Sequence, residues 1–468
     1  MLMKTSNKSG QPNTIQRESA RQQYDRLTKV PVKRLIVTLA IPTILSMMAT
    51  TIYNLVDTAF VGRLGTSQSG AVGVVFGFMA ILQAFGFMFG QGAGSLLSRM
   101  LGAKDSKSAC LGASTGFAAS FLCGVIIAIL GFLFEDRLVM MLGSTPTIAP
   151  YAKAYLNNLM IVAPFCCSSF TLNNMLRYEG KANLGMIGLL TGGILNIGGD
   201  ALFIFKMNMG IAGAGLSTAI SQVISFCILL FMFLSGRTQS KLAFSFVNLK
   251  SRMLLDIMGT GFPSLLRQGL GSLATILINF KAAQFAGDAG VSAMTIVVRI
   301  SFFLVAIALG IGQGFQPVCA FNYGAGKFAR LREAYRFTVL LSLSVMAVLT
   351  VFALIFPQEL IRLFRDDPKV ISVGTRALIL QCLSQVPLPI VMITEMLLQS
   401  SGKKIPATVL SSLRGGILMI PMLLILPVFR GLAGVQEAQP LSYVLSVAPA
   451  FFMANGFFAK IPKEDRPD

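Results

Sequence analysis

The chain is written twice. Gly90-Gln91-Gly92 recurs as Gly312-Gln313-Gly314, and Gly102-Ala103 as Gly324-Ala325, each 222 residues later. Gly180-Lys181 returns as Gly402-Lys403, Gly192-Gly193-Ile194-Leu195 as Gly415-Gly416-Ile417-Leu418, Ala212-Gly213 as Ala433-Gly434, and Pro42 as Pro263. Six anchors spread along both halves hold register to within one residue. The unit is far longer than a solenoid repeat, whose period runs ~20–50 residues. In a chain this apolar, such a duplication points to a transporter made of two equal lobes.

The solvent follows from composition. The 468 residues are 54% hydrophobic and 12% charged, against about 25% charged in soluble domains. Too little polar surface exists to face water on all sides. Apolar runs long enough to cross a ~30 Å hydrocarbon core as helices fall near 34–57, 72–98, 109–133, 153–176, 183–205 and 211–234. The second copy repeats them near 253–280, 291–319, 337–356, 371–394, 405–427 and 432–458, the last interrupted by Pro440 and Pro449. The expected fold is an all-α integral membrane protein of twelve transmembrane helices in two six-helix bundles. Six is even, so both copies enter the membrane the same way and a pseudo-two-fold runs along its normal. The expected organisation is a cytoplasmic segment 1–33, a lobe 34–234, a basic linker 235–252, a lobe 253–458 and a tail 459–468.

The net charge of +20 invites a nucleic-acid reading, which its distribution refuses. With the amino terminus and alternate loops on one side, 26 of the 39 Lys and Arg fall there, eight of them within residues 4–34. The opposite side holds ten, partly offset by Asp136, Asp288, Asp366 and Asp367. This is the positive-inside pattern. It places both termini in the cytoplasm and the chain in the cell's inner membrane. A long polar stretch precedes the first apolar run, which is not the form of a cleavable signal peptide. Arg17 to Thr38 is expected to form a short amphipathic helix on the inner leaflet.

Several chemistries are disfavoured. The seven cysteines show no metal-ligand spacing and read as small packing residues. The chain has no histidine, so proton handling falls to carboxylates. Gly324-Ala325-Gly326-Lys327 resembles half a P-loop, but Phe328 stands where Ser or Thr is required, and Phe321 where the first Gly is required. Neither ATP, an organic cofactor, a resident metal nor enzymatic turnover is expected.

Charges inside the spans remain, and each is a functional candidate because hydrocarbon penalises it. Asp57 ends the first span and Asp200 lies far along the fifth, so both fall in the outer half of the membrane and can share one pocket. Asn196 precedes Asp200 by four residues, on the same helical face. Thr218 and Gln222 approach from the sixth span. Two carboxylates in a desolvated pocket repel one another, and a proton relieves both costs. The second copy lacks this pair. Asp57 maps to Asn279, and Arg267, Arg299 and Arg414 stand near mid-span, with Glu395 as a partner for Arg267 or Arg414. Gln91 and Gln313 serve either as polar glue between helices or as contacts in a substrate cavity, where Gln222, Asn279 and Glu395 are also placed.

The strings Ile41-Pro42-Thr43 and Tyr53-Asn54-Leu55-Val56-Asp57-Thr58-Ala59-Phe60-Val61-Gly62-Arg63-Leu64-Gly65 resemble the first-helix signature of the multidrug and toxic compound extrusion (MATE) transporters. The duplicated Gly-Gln-Gly, the Asn196–Asp200 step and Gly215-Leu216-Ser217-Thr218 are similar to that family too. The resemblance covers residues 30–458 and points to its prokaryotic branch. It implies coupling to H+ or Na+ through Asp57, Asn196, Asp200, Thr218 and Asn173, with Na+, if used, held at Asp57 and Asp200. Helical rise puts Asn173 nearer the cytoplasm than the others. A carboxylate inside helix 7, used by another branch, is missing between Pro263 and Asn279.

Together these features lead us to expect a monomeric secondary-active antiporter in the lipid bilayer. It would export amphipathic, cationic small molecules in exchange for H+ or Na+, with Pro42 as a kink in the first helix. The alternative is a flippase for a lipid-linked or anionic substrate, using the arginines of the second lobe. A channel is disfavoured, since no re-entrant filter-like loop is visible.

Overall fold

The structure, a computed structural model, describes residues 14–249 and 252–466. The expected polar start at 1–13 and the last two residues of the tail lie outside that range. Among the described residues the chain is helical throughout, without strands.

The first copy contributes α1 (Thr14–Lys29), α2 (Val32–Gly62), α3 (Thr66–Gly102), α4 (Ser106–Leu133), the short α5 (Glu135–Met141) and α6 (Ala149–Tyr178). It ends with α7 (Ala182–Asp200), which runs into a π-helical turn at Ala201–Lys206, and α8 (Gly210–Leu234). The second copy holds α9 (Arg252–Gly324), α10 (Phe328–Ile355), α11 (Pro357–Arg362), α12 (Pro368–Gln385) and α13 (Leu388–Ser400). There follow α14 (Lys404–Ser412), a π turn at Leu413–Ile417, α15 (Met419–Arg430), α16 (Leu432–Leu445) and α17 (Val447–Lys460). Helices are what an apolar chain forms in lipid, because each span then satisfies its own backbone. Outward-facing Ile126, Leu133, Phe231, Leu234, Phe352 and Phe429 are all more than half exposed, as a lipid-facing surface requires.

Among the described residues ten helices are long and apolar enough to cross a bilayer, or eleven if α12 and α13 form one span. Two of the twelve spans expected from sequence, 253–280 and 291–319, fall within α9, which is 73 residues long. At about 1.5 Å per residue that element would measure ~110 Å, more than twice the thickness of a bilayer. Its backbone leaves helical geometry at Gly287, with φ 54° and ψ −148°. The expected span 371–394 is also corrected: α12 and α13 meet at 48°, where Pro387 and Pro389 remove backbone donors. The amphipathic helix expected over 17–38 stops at Lys29. Pro31 precedes a new helix, and Val32–Thr38 are the first turns of α2.

The duplication persists in the backbone. Left-handed φ values occur at Gly65 and Gly287, at Lys104 and Gly326, at Gly180 and Gly402, and at Gly210 and Gly431. Each pair is separated by 221 or 222 residues, so corresponding connections turn in the same way. The break inside α9 is thus the repeat mate of the turn between α2 and α3.

Three apolar clusters organise the packing. One runs from Val61 to Ala219, entirely within the first copy, and another from Ala274 to Ala438, within the second. The third joins the copies, bringing Leu97, Leu172 and Ile257 together with Phe315, Leu397 and Leu410. It lies toward the end bearing the basic loops, called the basic end below. There the backbones come together reciprocally. A Cβ on Gly102 would stand 2.2 Å from the carbonyl oxygen of Phe321, and one on Gly324 would stand 2.0 Å from that of Arg99. Arg99 and Phe321 are themselves repeat mates, so two equivalent helix crossings depend on glycine. Strapped across the same end, α1 sets Tyr24 edge-on to Phe321 at 5.7 Å. Its Leu27 carbonyl accepts from Asn322 Nδ2 at 3.1 Å.

Candidate functional site

In the first copy α2, α6, α7 and α8 converge on a buried polar cluster. Asp57 is 5% exposed, Asn196 4% and Asp200 0%. One helical turn separates Asn196 from Asp200, and the Asn196 amide Nδ2 reaches Asp200 Oδ1 at 3.5 Å and Thr218 Oγ1 at 3.1 Å. Ser217 Oγ donates to the Asn196 carbonyl at 3.0 Å, pinning α8 to α7. Across the site, the Tyr155 hydroxyl bonds Thr218 Oγ1 at 2.8 Å. Asp57, on α2, joins Asp200 in this cluster. Even so, Asp57 Oδ1 and Asp200 Oδ2 are buried with no partner among the described residues. Unsatisfied carboxylate oxygens in a low-dielectric site are costly.

Both helices are adapted locally. Directly after Asp200, α7 widens into its π turn, a distortion common at functional sites. Pro42 lies inside α2, where it deprives the Thr38 carbonyl of its helical donor. Hydroxyls along α2 bond back to their own helix, Thr43 Oγ1 to the Leu39 carbonyl at 2.6 Å and Ser46 Oγ to that of Pro42 at 2.8 Å.

The structure brings together Asp57, Asn196, Asp200 and Thr218 but sets Asn173 apart. The Asn173 amide lies against Gly185, fifteen residues before Asp200 and hence about 22 Å away along α7. Gln222 is half-buried on α8, and Asn279 is half-buried on α9 with an unpartnered Oδ1. Tyr155 had not been anticipated. A tyrosine in an apolar span has no period or neighbour that distinguishes it from packing.

Gln91 and Gln313 are placed differently from a cavity wall, and both are fully buried where the copies meet. Arg177, at the end of α6, donates to Gln313 Oε1 at 2.5 Å, to Gln316 Oε1 at 3.3 Å and to Asn174 Oδ1. Gln316 Nε2 donates to Gln91 Oε1 at 2.8 Å, which also accepts from Tyr178 Oη at 2.9 Å. Ser95 Oγ completes the junction by donating to the Gln399 and Ser400 carbonyls at 3.2 and 3.1 Å. A cation and four amides thus form a lock between copies. Their own sequence gives each amide two roles, and burial without solvent access selects the bridging one here. Arg177, counted with the loop charges at sequence level, is only 3% exposed.

In the second copy, Arg267 Nη1 pairs with Glu395 Oε1 at 2.8 Å, Glu395 being 1% exposed. Glu395 is therefore buried in an ion pair and not on an open wall. Arg414 stacks over the ring of Tyr443 at 5.9 Å, and Arg299 is exposed on α9.

Comparison with known proteins agrees with this architecture. A family model described as MatE matches residues 42–202 and again 263–425, the two copies in register. The multidrug export protein MepA of Staphylococcus saprophyticus is 27% identical over 397 residues, covering 85% of this chain and 87% of its own. MepA of Staphylococcus aureus strain N315 is 27% identical over 409 residues, covering 87% and 90%. A crystal structure of MATE in complex with MaL6 superposes with a TM-score of 0.88 at 25% identity, covering 94% of this chain and 98% of that one. An outward-facing multidrug resistance MATE family transporter of the MOP superfamily gives 0.87 at 25% identity, covering 92% and 97%. The chain therefore belongs to the MatE family of transporters, with prokaryotic relatives.

Proposed function

We propose that this protein is a secondary-active multidrug exporter that exchanges H+ for amphipathic, cationic organic compounds. The observation that carries the reading is the Asp57–Asp200 pair, buried together with one unpartnered oxygen on each. Binding a proton there and binding a cationic substrate are alternative ways to neutralise the same charge, and competition between them is what an antiporter needs. H+ suits the site better than Na+. Two buried carboxylates are penalised by desolvation and by mutual repulsion, and a single proton relieves both costs.

The molecule is read as two lobes of six helices. Eleven spans become twelve when α9 is divided at Gly287, and the paired turns and reciprocal glycine contacts support a pseudo-two-fold between lobes. The hydrogen bonds between copies fall within about 17 Å of the basic ends of their helices. With that end cytoplasmic, by the distribution of Lys and Arg, this is a state closed to the cytoplasm. Rocking the lobes would open the lock and expose the space between them to the cytoplasm. The carboxyl pair is complete within one chain, so a monomer driven by an ion gradient, without ATP, suffices. A flippase using the second-copy arginines is less supported, because the three do not gather: Arg299 is exposed on α9 and does not line the pocket that holds Arg267 and Arg414.

Proteoliposomes with pH and Na+ gradients imposed separately test the reading. An inward proton gradient should drive uphill export of cationic dyes. Asp200→Asn should abolish it in protein that still folds and inserts, and Asp57→Asn should impair it strongly. Near wild-type uphill export by Asp200→Asn would place the coupling site elsewhere.

A further inference from the structure

The second copy contains a polar pocket separate from the carboxyl cluster of the first. It encloses about 70 Å³ among α9, the α14–π turn and α16, and its polar lining is Arg267, Ser411, Arg414, Gln439 and Tyr443. These elements are the repeat mates of α2, α7 and α8, which carry the carboxyl cluster. Gln439 stands 221 residues after Thr218, at the offset set by Ala212-Gly213 and Ala433-Gly434. The same three-helix junction is therefore polar in both copies, with the sign of its charge reversed.

The charges do not balance within the pocket. Arg267 gives one N–H to Glu395 at 2.8 Å and retains others. The Arg414 guanidinium lies over the Tyr443 ring, 5.9 Å from its centroid, and no acceptor holds it among the described residues. Two guanidinium groups thus share one carboxylate, leaving a net positive charge on the half-buried Arg414 at the mouth of the pocket. The surrounding donors are already oriented. Gln439 Nε2 donates to Tyr443 Oη at 2.8 Å, so the phenol proton is free to point into the pocket. Ser442 Oγ donates to the Arg414 carbonyl at 2.8 Å, fixing the π turn that carries the guanidinium.

We propose that this pocket binds one oxyanion group of carboxylate or phosphate type, held by the forks of Arg267 and Arg414 and the hydroxyl of Tyr443. Guanidinium forks match such groups in shape as well as charge. The room is that of one head group, since pockets for drug-sized molecules run ~300–1,000 Å³. The group arrives either as a free ion or as the head of an anionic lipid.

The test is thermal unfolding of the full chain titrated with inorganic phosphate at constant ionic strength in chloride. In delipidated detergent micelles, phosphate should raise the unfolding temperature saturably. Arg414→Gln should weaken the apparent affinity by about tenfold or more, as loss of a charged hydrogen bond implies. Tyr443→Phe should weaken it less, and Arg414→Lys, which keeps charge without the fork, should fall between Arg414→Gln and wild type. Should Arg414→Gln not fold, the Lys and Phe variants carry the comparison. Repeating the titration in nanodiscs separates the sources. If phosphatidylglycerol, but not phosphatidylcholine, suppresses phosphate binding, the occupant is a lipid head. If neither suppresses it, the occupant is a free ion. An unsaturable response, or equal affinities in wild type and all folded variants, would overturn the proposal.

Discussion

Removing Arg177 tests whether the polar junction between copies holds the closed state. The guanidinium is buried, and two of its acceptors, Gln313 and Gln316, belong to the other copy. Hydrogen bonds to a charged group contribute about 1.5–3 kcal/mol each, so the two linking the copies are worth roughly 3–6 kcal/mol gross. Against this stands the cost of burying a guanidinium with no carboxylate beside it, several kcal/mol even after relaxation. Arg177→Met keeps most of the volume, removes the charge, and leaves Gln313 Oε1 and Gln316 Oε1 short of a donor. The net effect should favour opening of the basic end by about 2 kcal/mol, roughly a thirtyfold change in the closed-to-open ratio.

The assay is the distance between spin labels at Lys107 and Lys403, which are exposed at the basic end in opposite copies. Cys227, the exposed native cysteine, is first replaced by serine. The parent protein should give one short-distance population, and Arg177→Met should add a longer one. Arg177→Lys, with one charge and fewer donors, should lie between. An unchanged distance distribution in folded Arg177→Met would refute the reasoning, because the network would then be filling space without holding the copies together.

Other consequences follow from the same contacts. Gly102→Ala and Gly324→Ala each drive a methyl into a carbonyl oxygen where the copies cross and should widen the same label distance, each destabilising that crossing by about 1–3 kcal/mol. Their reciprocity demands similar effects, and a shift in only one would break the pseudo-symmetric account. Gly287→Ala forces an L-residue into φ 54°, ψ −148° and should destabilise by roughly 1–3 kcal/mol. Gly269→Ala, in open space on the same helix, should stabilise by about 0.5–1 kcal/mol, and thermal melts giving both the same sign would contradict this. Outside the spans, Glu179 accepts from the backbone of Gln239 and Ser240 at 3.1 and 3.0 Å. Burial nevertheless holds its carboxyl above the ordinary 4.5, against the pull of Lys181 and these bonds. A group raised on folding contributes stability that is full below pH 4.5 and lost as pH climbs through the raised value. Glu179→Gln should flatten that part of the stability–pH curve, and an unaltered slope would assign it to another group.

What sequence made legible was whatever depends on period. The 222-residue repeat survives in paired left-handed turns, and helical spacing suffices to bring Asn196 beneath Asp200 and both within reach of Thr218. The divisions of the helices were less visible. Two spans are joined through Gly287, because a single residue outside helical geometry interrupts the chain without a loop. The bend between α12 and α13 had its signal in Pro387 and Pro389, yet the run 371–394 is apolar enough to pass for one straight span. Arg177 was hidden for another reason. A charge at the end of an apolar run is ordinarily solvated, and only tertiary packing shows that this one is covered by Gln313 and Gln316 from far along the chain. Gln91 and Gln313 could equally have faced a cavity or a neighbouring helix, since helical spacing does not say which copy lies opposite.

The carboxyl cluster and the inter-copy lock share one helix. Tyr155, on α6, bonds Thr218 at the cluster, and Arg177 and Tyr178, on the same helix, hold the lock. Twenty-two residues separate Tyr155 from Arg177, about 33 Å of helix. Between them Pro164 interrupts the backbone hydrogen bonding of α6, and the Thr171 hydroxyl bonds Ser120 at 2.8 Å, tying α6 to α4. Neutralising Asp57 or Asp200 changes the charge facing Tyr155 and Thr218, whereas separating the copies must pull Arg177 from Gln313. Because α6 carries a contact at each site, movement of the helix as a unit cannot alter one without straining the other. On the function proposed above, this shared helix is the physical basis on which proton binding at the far end of the first copy would bear on opening at the basic end, without a carboxylate pair in the second.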